Sequence, residues 1–290
     1  MDSHWGELQW TPWVLFSRPS DFRTLPADPG MYRIRARNGN ALFYLGETGR
    51  SLRERLGDLR RNTMKDVMPY NDPHTAAPSL WAWRHAEGIE FECSAAPVTL
   101  ADKKEEARKL REGLEFYLLW QYRLEADTST WCNHGRFHPR YVKSTDRKKG
   151  FRGYRVADEE PDNPAGGPSL LPLQLVATPF APNWMGLVWS NYTPLGQRSF
   201  LSGVPQSPGV YKIVDPNEEA LLYVGESGNL RTRLNTHAAK DWQHQTVFFS
   251  YVPLPAHTPA YQRHEIENDL LGGFYALTRN IPLFQLVDHH

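Results

Sequence analysis

Cysteine is scarce in this chain: Cys93 and Cys132 are the only two in 290 residues, and no Cys-x-x-Cys pair occurs. That argues against a disulfide framework and against a structural zinc site. Net charge is missing as well, because 33 basic side chains balance 33 acidic ones. No apolar run is long enough to cross a bilayer, and the stretch from Met1 to Glu7 has neither a basic start nor an apolar core. The expectation is a soluble, cytoplasmic protein with no membrane partner. Base-reading motifs such as a helix-turn-helix or a zinc finger are also lacking.

What is there is repetition. Pro29-Gly-Met-Tyr-Arg-Ile34 is followed by Tyr44-Leu-Gly-Glu-Thr-Gly49, and Pro208-Gly-Val-Tyr-Lys-Ile213 by Tyr223-Val-Gly-Glu-Ser-Gly228. At a constant spacing of 179 residues Trp5 matches Trp184, Leu8 matches Leu187 and Trp10 matches Trp189. Pro26, Ile34, Leu42, Gly46 and Glu47 likewise match Pro205, Ile213, Leu221, Gly225 and Glu226. Ungapped identity on that scale, paired tryptophans included, means that a whole unit has been duplicated. The chain length suits two domains of common size.

Each repeated stretch reads as a β-hairpin rich in Ile, Val, Tyr and Phe, with Asn38-Gly39-Asn40 or Asp215-Pro216-Asn217 at its turn. A helix follows. In the first copy it carries Leu52, Leu56 and Leu59 on one face and Arg50, Arg53, Arg55, Arg60 and Arg61 elsewhere; in the second, Leu230, Arg233 and Leu234 remain and most of the basic residues do not. Third strands are expected over 89–93 and 247–252, and long helices from Asp102 to Arg123 and from Pro259 to Tyr275. Each long helix carries a glutamate at the edge of its apolar stripe, Glu115 or Glu267. Residues 62–88 have no counterpart in the second copy and read either as a surface insertion or as an aid to substrate grip. The paired tryptophans read as core packing of a leading strand or clasp rather than as base-stacking platforms.

The tract Arg147-Lys148-Lys149-Gly-Phe-Arg152 is basic with interleaved aromatics, and reads either as a phosphate-contacting arm or as a solubilising tail. A Pro-, Gly- and acid-rich linker follows. The expected organisation is a first domain over 1–143, the basic tract and linker over 144–175, and a second domain over 176–290. Residues 1–150 hold 24 basic and 20 acidic side chains and residues 151–290 hold 9 and 13. A nucleic-acid ligand would lean on the first half, although ordinary scatter between domains gives such an imbalance too.

With these residues in view, both halves resemble the GIY-YIG nuclease family. Gly30-Met-Tyr32 and Tyr44-Leu-Gly46 stand for its two signatures in the first copy, and Gly209-Val-Tyr211 and Tyr223-Val-Gly225 in the second. The resemblance implies two tandem α/β (α+β) domains, each a small, mostly antiparallel three-stranded sheet with flanking helices. It implies metal-dependent hydrolysis of phosphodiester bonds in DNA, with RNA an open alternative. Tyr32, Tyr44, Arg55, Glu115 and Asn133 would be catalytic in the first copy, and Tyr211, Tyr223, Arg233, His237 and Glu267 in the second. Glu115 and Glu267 would each hold one Mg²⁺ or Mn²⁺. Tyr32 and Tyr211 would orient or deprotonate water, the latter only where positive charge lowers the phenol pKa. Arg50, Arg53, Arg60, Arg61, Arg147, Lys148, Lys149 and Arg152 would bind nucleic acid.

The sequence departs from the family pattern in two places. Leu59 stands where His237 stands in the second copy, and Gln285 lies where Asn133 is expected, with Asn280 nearby. The leading expectation is an endonuclease acting as an intramolecular pseudo-dimer, with no oligomer required, in restriction or phage defence. The alternatives are one catalytic domain beside a degenerate DNA-positioning one, and a nuclease-dead DNA-binding scaffold.

Overall fold

The computed structural model describes residues 2–72, 74–98, 101, 103–196, 198–243 and 246–286. Two antiparallel sheets of four strands organise it. The first is built from β1 (Val14–Leu15), β2 (Gly30–Ala36), β3 (Leu42–Thr48) and β4 (Phe91–Pro97), with helices α1 (Leu52–Thr63), α2 (Ala77–Glu87) and α3 (Lys104–Ala126). The second is built from β5 (Thr193–Pro194), β6 (Gly209–Asp215), β7 (Ala220–Ser227) and β8 (Phe248–Pro253), with α4 (Arg198–Leu201), α5 (Leu230–Ala238) and α6 (Ala260–Thr278). Strand order is β1-β4-β2-β3 in one and β5-β8-β6-β7 in the other. The expected three antiparallel strands are present in each sheet. The leading tryptophan segment adds a fourth, two residues long, through Val14 opposite Cys93 and Thr193 opposite Phe249. Asp102, where the long helix was expected to begin, and Pro73 of the insertion lie outside the described residues.

The duplication extends to fine detail. Both central hairpins shift register at matching points, between Ile34 and Arg35 and between Ile213 and Val214. Both tryptophan clasps close the same way: Trp10 Nε1 donates to the Trp5 carbonyl at 2.8 Å, and Trp189 Nε1 to the Trp184 carbonyl at 3.0 Å. Each clasp surrounds a cation from the central strand. Arg33 lies 4.3 Å from the Trp10 ring and 4.8 Å from Trp13, and Lys212 lies 4.5 Å from Trp189 and 5.3 Å from Tyr192. The tryptophans are therefore core residues with a second task, holding a buried cation by its attraction to their π faces. Burial pushes the Lys212 amine down to about 7, while its Nζ donates to the Pro179 carbonyl.

The insertion is structured. It contains α2, which contributes Ala77 and Leu80 to the first core and packs Trp81 with Met68, Phe137 and Tyr141 in a satellite core. The segment after α3 folds back on it, and Tyr141 bridges Arg155.

The two units meet where α3 packs along α6. Glycines permit the approach: a Cβ on Gly272 would come within 2.6 Å of the Trp120 Cβ, and one on Gly113 within 2.6 Å of the Tyr275 ring. Positions of α6 correspond to those of α3 as Glu267 does to Glu115, and the contacts obey that correspondence. Trp120 faces its own equivalent, Gly272, and the Phe116 carbonyl accepts from the side chain of its own equivalent, Asn268, at 3.3 Å. Gly113 meets Tyr275 while their equivalents Glu265 and Arg123 meet each other at 3.5 Å. The Tyr117 and Tyr275 rings lie 5.9 Å apart, and their equivalents Asp269 and Arg123 pair at 2.7 Å. Self-contacts flanked by reciprocal contacts are the signature of a two-fold axis. The units are thus related by an approximate dyad through the middle of the helix pair.

Reciprocal positions carry opposite chemistry, aromatic on one side of the dyad and ionic on the other. Arg123 holds Asp269 in a bidentate contact at 2.7 and 3.1 Å. Glu265 accepts from Arg136 at 3.2 Å and from the Leu170 amide at 2.9 Å, and Asp269 accepts from the Leu173 amide at 2.9 Å. These carboxylates therefore also fasten the linker. Removing one member leaves buried charge unpaired, so Arg123→Ala should lose about 3–5 kcal/mol. Arg123→Met with Asp269→Leu should recover part of that loss in denaturant unfolding. Equal stability of Arg123→Ala and the parent would contradict the packing described.

Candidate active sites

The hairpins bring the signature tyrosines together. In the β2–β3 ladder Tyr32 faces Gly46 and Ile34 faces Tyr44, and the two tyrosine rings lie 6.0 Å apart. A Cβ on Gly46 would stand 2.7 Å from the Tyr32 hydroxyl oxygen and from the Tyr44 ring. Glycine is required there because the tyrosine occupies the side-chain space across the ladder. The second copy repeats this: Tyr211 faces Gly225, its ring lies 6.0 Å from Tyr223, and a Cβ on Gly225 would collide with the Tyr211 hydroxyl.

The arginines come from the helices that follow. Ser51 caps α1 by accepting from the Glu54 amide at 3.3 Å, and Asn229 caps α5 by accepting from Thr232 at 3.0 Å. One turn on, Arg55 Nε donates to the Tyr32 hydroxyl at 3.3 Å, and Arg233 Nε to the Tyr211 hydroxyl at 3.1 Å. Glu115 of α3 and Glu267 of α6 approach from the opposite element and are half-buried. Burial, followed by the nearby Glu47 and Glu112 carboxylates, pushes the Glu115 carboxyl up to about 8, with Arg55 pulling the other way. Burial pushes Glu267 up to about 7, against His264 and with Glu226.

The tyrosines shift upward as well. Burial raises Tyr32 despite Arg55, and raises Tyr211 despite Arg233. The condition for tyrosine as a base, a phenol pKa lowered by positive charge, is not met in this state. Both phenols stay protonated at neutral pH and are fixed by an arginine, an arrangement suited to orienting a bound water.

Two partners have no role in the sequence reading. Arg111 pairs with Glu47 at 3.0 Å, and Arg263 pairs with Glu226 at 2.5 Å. Each arginine lies four residues before the helix glutamate, and that shared spacing was the signal available. The sites differ next door, where Glu112 occupies the place of His264. His264 lies 3.4 Å from Glu226 through Nε2, and its Nδ1 contacts the His134 carbonyl of the first unit at 3.0 Å.

The departures noted in sequence resolve in different ways. Asn133 uses both amide atoms on Leu45, accepting from its N–H at 3.0 Å and donating to its carbonyl at 2.8 Å. Gln285 accepts from Val224, the equivalent of Leu45, at 3.1 Å. Gln285 therefore does part of the work of Asn133, and in both copies this side chain braces the tyrosine strand. His237 Nε2 contacts the Tyr211 hydroxyl at 2.8 Å, whereas Leu59 is buried in the first core. An unassigned histidine, His74, lies instead in hydrogen-bond contact with Arg55.

The proposed nucleic-acid cations fall into two groups. Arg53 Nε donates to the Leu25 carbonyl at 2.8 Å, Arg60 Nε to Phe16 at 2.5 Å and Arg152 Nη1 to Met68 at 2.8 Å, so these three are tied to the fold. Arg50 and Arg61 are exposed and share Asp58. Arg147, Lys148 and Lys149 are exposed on a turn folded against Tyr70, rather than on an extended arm.

Among the described residues, no cluster of three or more His, Cys, Asp or Glu side chains forms a metal cage. Mg²⁺ does not need one, since it keeps several waters and binds proteins through one or two carboxylates. Glu115, half-buried beside Glu47, fits that mode, as does Glu267 beside Glu226.

The raised carboxyls predict a pH dependence of stability. Unfolded glutamate ionises near 4.5, while folded Glu115 holds its proton to about 8 and Glu267 to about 7. Between those values the folded state binds more protons, so stability falls as pH rises. The contribution is complete below about pH 4.5 and gone above about pH 8. In chelator, the melting temperature should decline over that window, and the decline should be shallower in Glu115→Gln. An identical pH profile for the variant would contradict the assignment. Comparison of the chain with protein-family models, curated proteins and solved structures finds no match in any of the three.

Proposed function

We propose that this chain is a metal-dependent endonuclease of GIY-YIG type that hydrolyses phosphodiester bonds in DNA, with one site in each unit. The observation that carries the reading is the twice-built set of two tyrosines, an arginine bonded to the first tyrosine hydroxyl, and a half-buried glutamate opposite. Core packing accounts for a buried tyrosine but not for an arginine hydrogen-bonded to its hydroxyl with a half-buried carboxylate opposite, an arrangement that both copies have kept.

Water attacks phosphorus while the bond to the leaving sugar oxygen breaks. Tyr32 or Tyr211, its phenol held by the arginine, orients that water. Arg55 or Arg233 faces the phosphate and offsets the negative charge that grows in the transition state. Glu115 or Glu267 would hold a divalent cation, which would supply Lewis-acid polarisation of the phosphate oxygens. Tyr44 and Tyr223 pack beside the water-orienting tyrosines and wall the site.

The approximate dyad supports an intramolecular pseudo-dimer. Two sites related by a two-fold axis suit the two strands of a duplex, and covalent linkage raises the effective concentration of the second site. One observation favours an unequal division of labour: the exposed Arg50, Arg61, Arg147, Lys148 and Lys149 all belong to the first 150 residues. In that second reading, the first unit holds the duplex and the second cuts it.

Incubation of supercoiled plasmid with protein and Mg²⁺ separates these readings. Two working sites predict linear product from the parent, nicked circles from Glu115→Ala or Glu267→Ala, and no cleavage by the double variant. If one single variant abolishes all cleavage and the other does not, the unequal reading holds. A parent that cleaves neither plasmid nor single-stranded DNA or RNA would overturn the nuclease assignment.

A further inference from the structure

We infer that His74, supplied by the part of the insertion that precedes α2, is a positioning residue that fixes Arg55 in the first site. This rests on the nuclease reading of that site and deepens it. The second unit has no segment equivalent to the insertion, and its histidine comes from α5, where His237 touches the Tyr211 hydroxyl. In the first unit that helix position is Leu59, committed to the core. His74 reaches the same site by another route and grips another member of it.

The geometry defines what the imidazole does. The His74 side chain is 3% exposed, its Nδ1 is in hydrogen-bond contact with Arg55 Nη1, and its Nε2 lies 3.7 Å from Asp58 Oδ2. Guanidinium has only donors, so Nδ1 must accept. The ring proton then sits on Nε2, the nitrogen nearer the Asp58 carboxylate, whose negative charge favours that tautomer. Burial and the adjacent Arg55 charge push His74 down to about 4, which keeps it a neutral acceptor at physiological pH.

Arg55 is thereby held at two points, Nη1 by His74 and Nε by the Tyr32 hydroxyl at 3.3 Å. The donors that remain, both N–H groups of Nη2 and the second of Nη1, are directed by these two anchors and are left for phosphate oxygens. The insertion is itself anchored: the Ala77 amide donates to the His74 carbonyl at 3.0 Å, and Ala76, Ala77 and Leu80 enter the first core. Residues 62–88 therefore complete the first site from outside the repeated unit.

The test uses full-length Glu267→Ala protein, so that only the first site is read. Adding His74→Ala should slow single-turnover nicking of plasmid about tenfold to a hundredfold, the scale of a misplaced catalytic group, with plasmid affinity unchanged. His74→Gln, which keeps an acceptor, should recover most of the rate and the parent melting temperature. Unchanged nicking by His74→Ala, or equal loss in both variants, would overturn the inference. Long-range ¹H–¹⁵N NMR of the imidazole supplies a readout independent of cleavage. It should show the neutral Nε2–H tautomer at pH 7, and an imidazolium or the Nδ1–H tautomer would refute the assignment. If Glu267→Ala and the parent are both inactive, the nuclease reading fails, and the tautomer still decides whether His74 holds Arg55.

Discussion

Arg123 carries a full positive charge into a position that is 1% exposed, between two carboxylates from the other unit. A buried guanidinium is tolerable only when its donors are matched, and here Asp269, Glu265, Ser129 and the linker carbonyls match them. The match works only with α3 and α6 in one register and with residues 170–173 laid across them. Much else follows from that constraint. The glycines at 113 and 272 let the helices close, the dyad relates the units, and Glu115 and Glu267 are carried on the same two helices that form the lock. Stability between the units and placement of the metal-binding candidates are thus properties of one helix pair.

The dyad also shows how a duplicated sequence diverges without losing its architecture. Gly113 with Tyr275, and Arg123 with Glu265, occupy reciprocal places. One is a steric fit and the other an ion pair. A homodimer must use the same residues on both sides of its axis, whereas a covalent tandem is free of that requirement. The same freedom appears at the sites, with His264 in place of Glu112 and histidines drawn from different elements.

Much of the fold was legible because repetition turns weak local signals into strong ones. The hairpins and their tyrosines occur twice at matched spacing, and the arginine and the helix glutamate follow twice in the same order, with the insertion lengthening the interval between them in the first copy. The leading segment was legible as a strand or clasp, and β1 falls within it, but its pairing as a fourth strand was not: Val14–Leu15 and Thr193–Pro194 are too short to show alternation, and Pro194 disguises the second. The caged cations Arg33 and Lys212 were visible as a matched pair, but a lone charge in a strand reads as solvent-facing until its aromatic neighbours fold over it. Arg111 and Arg263 read as ordinary surface charges of a helix. His74 had no sequence signal at all, since it lies in the unrepeated insertion and acts through contacts that only folding creates. The tyrosine pKa values depend on burial outweighing a nearby arginine, a balance that spacing does not contain.

The central claim is that one chain carries two cooperating sites on a two-fold frame. Its most direct test is the protein-concentration dependence of plasmid linearisation, measured alongside sedimentation of the protein. The account predicts a monomer whose rate of double-strand cleavage rises in first order with protein concentration. A second-order rise, or linearisation only where the protein sediments as a dimer, would show that two chains are needed and would contradict it.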